Sequence, residues 1–286
     1  MKRSQIINEA FSITIRNRSL WIVALIALGL NALVGLILPA QGIVSAIIKT
    51  LVNFAVTAFL AGALIRMVDS IAERQTVSVS EGFEAGTRSF IQLLIVRVAL
   101  MIPVWIVLIF ATGSFLSIFS ELGRPGGIRA YNIANLAASI LGTLGMLMLL
   151  SVITSAIGVG AERAVVLENL SVIHALKRGA VLLINRLVDF IFIGLMLFVV
   201  VLAIAILVGC LSSVIALPLI QSDFEYGEAI DVPITPSAVP TGTITSIIVG
   251  AILSLVVGAL TSVLFSGAWT LAFRQWQGKP PILPET

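Results

Sequence analysis

The sequence predicts an all-α integral membrane protein: a bundle of six transmembrane helices with three cytoplasmic amphipathic elbow helices. Residues of the AVILMFWYC set make up 59% of the chain and charged residues only 11%. Soluble domains average about 45–50% apolar and about 25% charged residues. Long apolar runs are typical of helices that cross the roughly 30 Å hydrocarbon core of a bilayer, and the alternation of membrane barrel strands is absent from the sequence.

The first unit begins with an amphipathic segment at residues 4–20, which is followed by apolar runs at about residues 20–38 and 43–67. One helical face of this first elbow is predicted to lie against the acyl chains, and it carries Ile6, Ile7, Ala10, Phe11 and Ile15. The opposite face is polar and carries Gln5, Asn8, Glu9 and Ser12.

The second unit begins at Ser78 and Glu81, whose spacing predicts a capping box at the start of the second elbow. Val79, Phe83 and Phe90 are predicted to share its apolar face. Span three follows at about residues 90–119, and Pro103 is expected to kink it because proline removes a backbone hydrogen bond. A loop with Pro125 leads to span four at about residues 132–160.

The third elbow lies within residues 161–190, between two long apolar runs. Its apolar stripe is predicted to consist of Val172, Ile173, Leu176, Ala180, Leu183 and Leu187. The opposite face carries His174, Lys177, Arg178 and Asn185. Span five is predicted at about residues 187–217, a loop at 218–242 and span six at about 243–273.

We therefore predict one six-span membrane domain at residues 1–275, made of units at 1–68, 69–166 and 167–275, and a flexible cytoplasmic tail at 276–286. The elbows align Glu9-Ala10-Phe11, Glu81-Gly82-Phe83 and His174-Ala175-Leu176. Duplication of a helix-hairpin unit accounts for this threefold pseudo-repeat. Chance similarity among amphipathic helices is the alternative.

Basic residues predict the orientation, because lysine and arginine collect in cytoplasmic loops. Six spans place the termini and the elbows on one side, which receives Lys2, Arg3, Arg16, Arg18, Arg66, Arg74, Arg88, Arg163, Lys177, Arg178, Arg186, Arg274 and Lys279. The other side receives Arg124 and Arg129. We predict a cell (inner, cytoplasmic) membrane protein with cytoplasmic termini, and we read the basic excess as a sign of orientation rather than of nucleic-acid binding.

Polar residues inside the spans are candidates for function, since a charge in hydrocarbon persists only with a partner or a role. We hypothesise an Arg97–Asp189 ion pair, with snorkelling of Lys49 and Asp189 as the alternative. Asn31 and Asn53 are predicted to hydrogen-bond across the first hairpin, with a substrate site as the alternative.

Two further groups of residues are predicted to have structural roles. Glu162, Arg163 and Glu168 are expected to form a cytoplasmic salt-bridge cluster beside the third elbow. Small residues recur every four positions in span six, the pattern that lets membrane helices approach closely; they are Gly250, Ser254, Gly258, Ser262, Ser266 and Thr270.

The residues give no signature of catalysis, of a metal site or of a cofactor. His174 is the only histidine, Cys210 is the only cysteine, and no GxSxG or phosphate-binding loop occurs. We predict a non-enzymatic structural or accessory membrane module that contacts membrane lipids, including anionic headgroups, a protein partner or a second copy. The alternative is a small-solute or lipid transporter that uses Lys49, Arg97 and Asp189.

The first elbow, the segment AERAVVLENLSVIHALKRG and the closing GAWTLAFRQW resemble one bacterial group of six-span proteins. This group is related to the membrane domain of glycerophosphoryl diester phosphodiesterases. The phosphodiesterase catalytic domain is absent from the sequence, so the resemblance implies a membrane module without that activity.

Overall fold

The computed structural model describes residues 3–38, 42–73, 75–122, 130–227 and 241–278, and all its regular elements are helices. In chain order they are α1 (Arg3–Arg16), α2 (Arg18–Ile37), α3 (Ile43–Ala72), α4 (Val79–Leu122), α5 (Ala130–Glu168), α6 (Val172–Asn185), α7 (Leu187–Gly227) and α8 (Thr241–Trp276). The described residues divide into two compact units, Met1–Gly86 with Ile191–Thr286, and Thr87–Phe190. The predicted loop at 123–129 and most of the predicted tail lie outside the described residues.

Six of these helices are long and apolar enough to cross a membrane, which confirms the predicted fold class. The candidate spans are Arg18–Ile37, Val44–Ala72, Val79–Gly113, Ala137–Glu168, Leu187–Cys210 and Ile248–Trp276. The predicted start of the loop at residue 218 is wrong, because α7 continues through Pro218 to Gly227.

The second elbow is not a separate helix, because α4 runs without a break from Val79 through Pro103 to Leu122. Its predicted capping box is confirmed: the Ser78 N–H donates to Glu81 Oε2 at 2.9 Å and the Glu81 N–H donates to Ser78 Oγ at 3.3 Å. The first and third elbows are the separate helices α1 and α6, which end at Arg16 and Asn185. The single residues Asn17 and Arg186 separate them from α2 and α7.

In the unit Met1–Gly86 with Ile191–Thr286, α8 packs against α1, α2 and α3. Small residues of α8 permit these contacts. A Cβ added at Gly258 would lie 3.3 Å from Leu28 of α2, and one added at Gly267 would lie 3.6 Å from the Cβ of Ala10 in α1. The start of α4 lies against α3 in the same way, since Gly82 and Gly86 lie under the side chains of Met67 and Phe59.

In the unit Thr87–Phe190, α6 folds back onto α5. Asn169 has a φ of 52°, a left-handed conformation that asparagine adopts more readily than most residues, and it ends α5. The Leu170 N–H donates to the carbonyl of Ala164 at 3.2 Å and closes the helix end. Ser171 then starts α6 in an extended conformation.

Candidate functional site

In the unit Thr87–Phe190, the buried face of α6 packs directly against the backbone of α5. This face consists of Ala175, Gly179 and Leu182. A Cβ on Gly179 would lie 2.4 Å from the Ile157 carbonyl oxygen, and a Cβ on Gly160 would lie 2.9 Å from the Cα of Gly179. Only residues without side chains allow the two backbones to approach this closely.

The opposite side of α6 is exposed, and we call Ile173, Lys177, Val181 and Ile184 its outer face. Ile173 and Ile184 are 78% and 77% exposed. The buried face is therefore not the predicted apolar stripe, most of which lies along the flank of the helix and is half-buried. The reason is steric, because α6 turns its smallest residues toward α5 rather than its most apolar ones.

The basic residues around α6 have weak or exposed partners. Arg178 lies 3.5 Å from Glu168 at the end of α5, and Arg186 lies 3.9 Å from Asp189. Lys177 is exposed on the outer face. The exposed surface of α6 therefore combines apolar side chains with basic ones.

Helix α1 has the same two-sided construction in the other unit. Its buried residues are Ile6, Ile7, Ala10, Ile13 and Thr14, whereas Phe11 and Ile15 of the predicted apolar face are exposed. Arg16 and Arg18 at the end of α1 are also exposed. Both short helices therefore use one face for packing against a long helix and present another to the surroundings.

Glu9 was predicted on the polar face of the first elbow but is buried, because α1 turns this side of the helix inward as it packs on α8. Its Oε2 has no hydrogen-bond partner among the described residues. Burial raises the pKa of the Glu9 carboxyl above its ordinary value of 4.5, because desolvation disfavours the charged form.

We expect Glu9→Gln to raise the thermal unfolding midpoint at neutral pH but not at pH 4. Below a pH of about 4.5, the carboxyl is protonated in both folded and unfolded protein and costs nothing. As the pH rises through the higher folded-state pKa, the wild type loses this stability and the glutamine variant does not. Parallel pH series of both proteins in detergent measure the difference, and equal midpoints at pH 7 would contradict it.

Arg97 pairs with Glu162, so the predicted Arg97–Asp189 ion pair is wrong. The Arg97 Nε donates to Glu162 Oε1 at 2.7 Å, and Asp189 instead lies beside Arg186. The sequence places Arg97 and Asp189 at similar depth, but it does not give the rotation of α4 about its axis. Glu162 lies two turns before the end of α5 and faces Arg97.

The predicted cluster of Glu162, Arg163 and Glu168 is therefore divided between two neighbours. Glu162 pairs with Arg97 of α4, and Glu168 pairs with Arg178 of α6. Arg163 is buried, and its Nη1 donates to the carbonyl of Val159 at 2.8 Å.

Another ion pair, which is buried, was not predicted from the sequence. Arg274 of α8 forms an ion pair with Asp69 of α3, donates to the Asp69 carbonyl at 3.2 Å and lies 3.3 Å from Glu73. The side chains of Arg274 and Asp69 are 7% and 4% exposed. Asp69 stands just after the predicted end of span two, and no short-range pattern links it to a residue 205 positions away.

Of the polar residues predicted inside the first hairpin, Asn31 and Asn53 are in contact. The Asn31 Nδ2 donates to Asn53 Oδ1 at 3.0 Å, which confirms the predicted hydrogen bond between spans one and two. Lys49 lies one helical turn from Asn53 on α3, and among the described residues it has no ion-pair partner.

Span six uses only part of its predicted stripe for close packing. Gly258 lies against Leu28, but a Cβ on Gly250 would meet nothing within 4 Å. Ser254 is exposed and bonds to its own helix at Ala251, and Ser262 is half-buried. The close contacts of α8 are concentrated from Gly258 to Gly267.

His174 is exposed and shares a 2.8 Å hydrogen bond with Ser171. In the described ranges, no group of three or more His, Cys, Asp or Glu residues is placed to hold a metal ion.

The six apolar helices and the polar pairs between them define an α-helical, multi-span membrane protein. The chain belongs to the family described as "Domain of unknown function (DUF7847)", which matches residues 1–276. No curated protein and no solved structure matches the chain.

Proposed function

We propose that the protein is a non-enzymatic membrane module that holds two basic helices, α1 and α6, against the lipid headgroups of the inner leaflet. The observation that carries this proposal is the construction of α6. Its inner face is fixed to α5 by backbone contact at Gly179, while Lys177 is exposed between Ile173 and Ile184. A helix that only filled space would not need basic and apolar residues together on its exposed side.

The chemistry of the outer face suits a membrane surface. Apolar side chains of an interfacial helix enter the acyl boundary, and lysine extends its ammonium toward the headgroups. Each basic residue near an anionic leaflet contributes about 1 kcal/mol of attraction. Anionic phospholipid is therefore the contact that Lys177, Arg186 and the exposed Arg16 favour.

The orientation and the location are part of the same proposal. The predicted concentration of basic residues on the side of the termini supports a cytoplasmic position of α1 and α6 at the cell membrane. Labelling of a Lys177→Cys variant in a Cys210→Ser background tests this orientation, since only inverted vesicles should expose the site. The relation to the membrane domain of glycerophosphoryl diester phosphodiesterases is likewise proposed, on the segment 161–179.

The lipid contact is tested on the purified full chain in detergent. Phosphatidylglycerol is expected to raise the thermal midpoint of the wild type more than phosphatidylcholine does. The double variant Lys177→Gln/Arg186→Gln should lose much of this difference, because two of the exposed charges are gone.

Lys49→Gln is the matched control, since it removes one positive charge from a span of the other unit. It should leave the response to phosphatidylglycerol intact. Equal stabilisation of the wild type by both lipids would contradict the proposal, and so would a full response in the double variant.

The transporter alternative depends on Lys49, Arg97 and Asp189 acting along one path. Arg97 and Asp189 have separate partners, Glu162 and Arg186, and Lys49 belongs to the other compact unit. The separate partners of Arg97 and Asp189 give no support to a shared path, so no observation favours this alternative over the module.

A further inference from the structure

The Arg97–Glu162 pair lies inside two candidate spans and is only partly buried. Its side chains are 20% and 16% exposed. Arg163 follows Glu162 directly, so two guanidinium groups and one carboxylate lie at neighbouring positions on α4 and α5. A group of this composition within spans is costly and usually marks a function.

The pair leaves most hydrogen-bonding capacity of Arg97 unused. Glu162 accepts from Nε, and within the described part of the chain Nη1 and Nη2 have no hydrogen-bond partner. Acyl chains offer no acceptor for these N–H groups. The carboxylate instead holds the planar guanidinium in one orientation, which prepares its remaining N–H groups for an acceptor.

We propose that Arg97, oriented by Glu162, binds the phosphate group of an anionic phospholipid. Arginine presents paired N–H donors that match two oxygens of a phosphate, and such charge-assisted bidentate contacts are among the stronger hydrogen bonds. The positive charge of Arg163 adds attraction for an anion. This inference rests on the proposed contact with anionic lipid, but it places a specific headgroup site away from the outer face of α6.

The depth of the pair favours a lipid over a soluble ion. Glu162 lies six residues before the end of α5 at Glu168, which corresponds to about 9 Å along the helix axis. A lipid headgroup near this end of α5 reaches the pair with its acyl chains still in hydrocarbon. A soluble phosphate would lose its hydration on entering the same place.

The test counts lipids bound to the full-length protein in detergent by native mass spectrometry, with titrated phosphatidylglycerol or phosphatidylcholine. The wild type should retain one phosphatidylglycerol preferentially. The double variant Arg97→Gln/Glu162→Gln should bind it about tenfold more weakly. This variant replaces both members of the ion pair by amides, so neither of them is left as an unpaired charge. Because the buried Arg163 loses its neighbouring carboxylate, the thermal midpoint without lipid checks folding.

Two further variants separate this site from its alternatives. Arg97→Lys keeps the positive charge but loses the planar guanidinium group with its paired N–H donors. It should bind phosphatidylglycerol more weakly than the wild type. Lys49→Gln should bind like the wild type. If Lys177→Gln/Arg186→Gln loses the lipid response while Arg97→Gln/Glu162→Gln keeps it, the proposed function stands and this inference falls; the reverse result supports the site and removes the role of α6.

Inorganic phosphate is the remaining arm of the experiment. Millimolar phosphate alone should neither shift the thermal midpoint nor displace phosphatidylglycerol. Displacement would assign the site to a soluble anion and overturn the lipid proposal. Wild-type affinity in Arg97→Gln/Glu162→Gln would show that water alone satisfies Arg97, and it would overturn the site altogether.

Discussion

Replacing Gly179 by alanine is expected to lower the free energy of unfolding by about 3 kcal/mol, at the upper end of typical costs for overpacking. The new Cβ would lie 2.4 Å from the Ile157 carbonyl oxygen and 2.9 Å from the Ala161 nitrogen. Both are backbone atoms of α5, so no side-chain rotation relieves the clash and α6 must move away. Thermal or denaturant unfolding of the purified protein in detergent measures the loss.

Gly160→Ala should have a similar effect, because its Cβ would meet the Cα of Gly179 at 2.9 Å. The two substitutions together should cost less than the sum, since one displacement of α6 relieves both clashes. Gly142→Ala is the matched control on the same helix, where a Cβ would meet nothing within 4 Å. A Gly179→Ala protein as stable as the Gly142→Ala protein would show that α6 is not packed as described.

Arg274→Met is expected to be the other most destabilising change, at about 3–5 kcal/mol. It would leave the Asp69 carboxylate buried between α3 and α8 with only the exposed Arg66 beside it. The double variant Asp69→Leu/Arg274→Met should recover much of the loss, because replacing both partners of a buried pair by apolar residues is often neutral. A double-mutant cycle on unfolding in detergent measures the coupling.

Arg66→Gln provides the control for Asp69. Arg66 also lies 3.5 Å from this carboxylate, but its side chain is 53% exposed, and exposed pairs contribute about 0–1 kcal/mol. The substitution should therefore change stability little. Additive effects of the Asp69 and Arg274 substitutions would mean that the buried ion pair contributes no specific energy.

The sequence predicts the spans well because their lengths follow from the thickness of the bilayer. It also predicts interactions between nearby residues, such as the Ser78–Glu81 capping box. The Asn31–Asn53 bond was predictable because a hairpin places the two midpoints side by side.

The buried faces of the short helices were predicted less well. Apolar residues cover more than half of α6, so the hydrophobic pattern alone does not select one face. The actual choice depends on the fit between Gly160 and Gly179, which a single-sequence pattern does not weigh. The same limit applies to Glu9, which is drawn inward with the residues beside it.

The ion pairs depend on features that a single sequence does not give. The depth of a residue along a span can be predicted from the sequence, but the rotation of each helix about its axis decides whether Arg97 faces Glu162 or Asp189. The Arg274–Asp69 pair joins residues that are 205 positions apart in the sequence, and only the packing of α8 on α3 brings them together.

The absence of side chains between Gly160 and Gly179 has a mechanical consequence. Transmembrane helices lean by different amounts in thin and thick bilayers. Since the backbones of α5 and α6 touch directly, any lean of α5 is transmitted to α6 as a rotation of the whole helix pair. In the proposed arrangement, the height of Lys177 relative to the headgroups therefore depends on bilayer thickness as well as on surface charge.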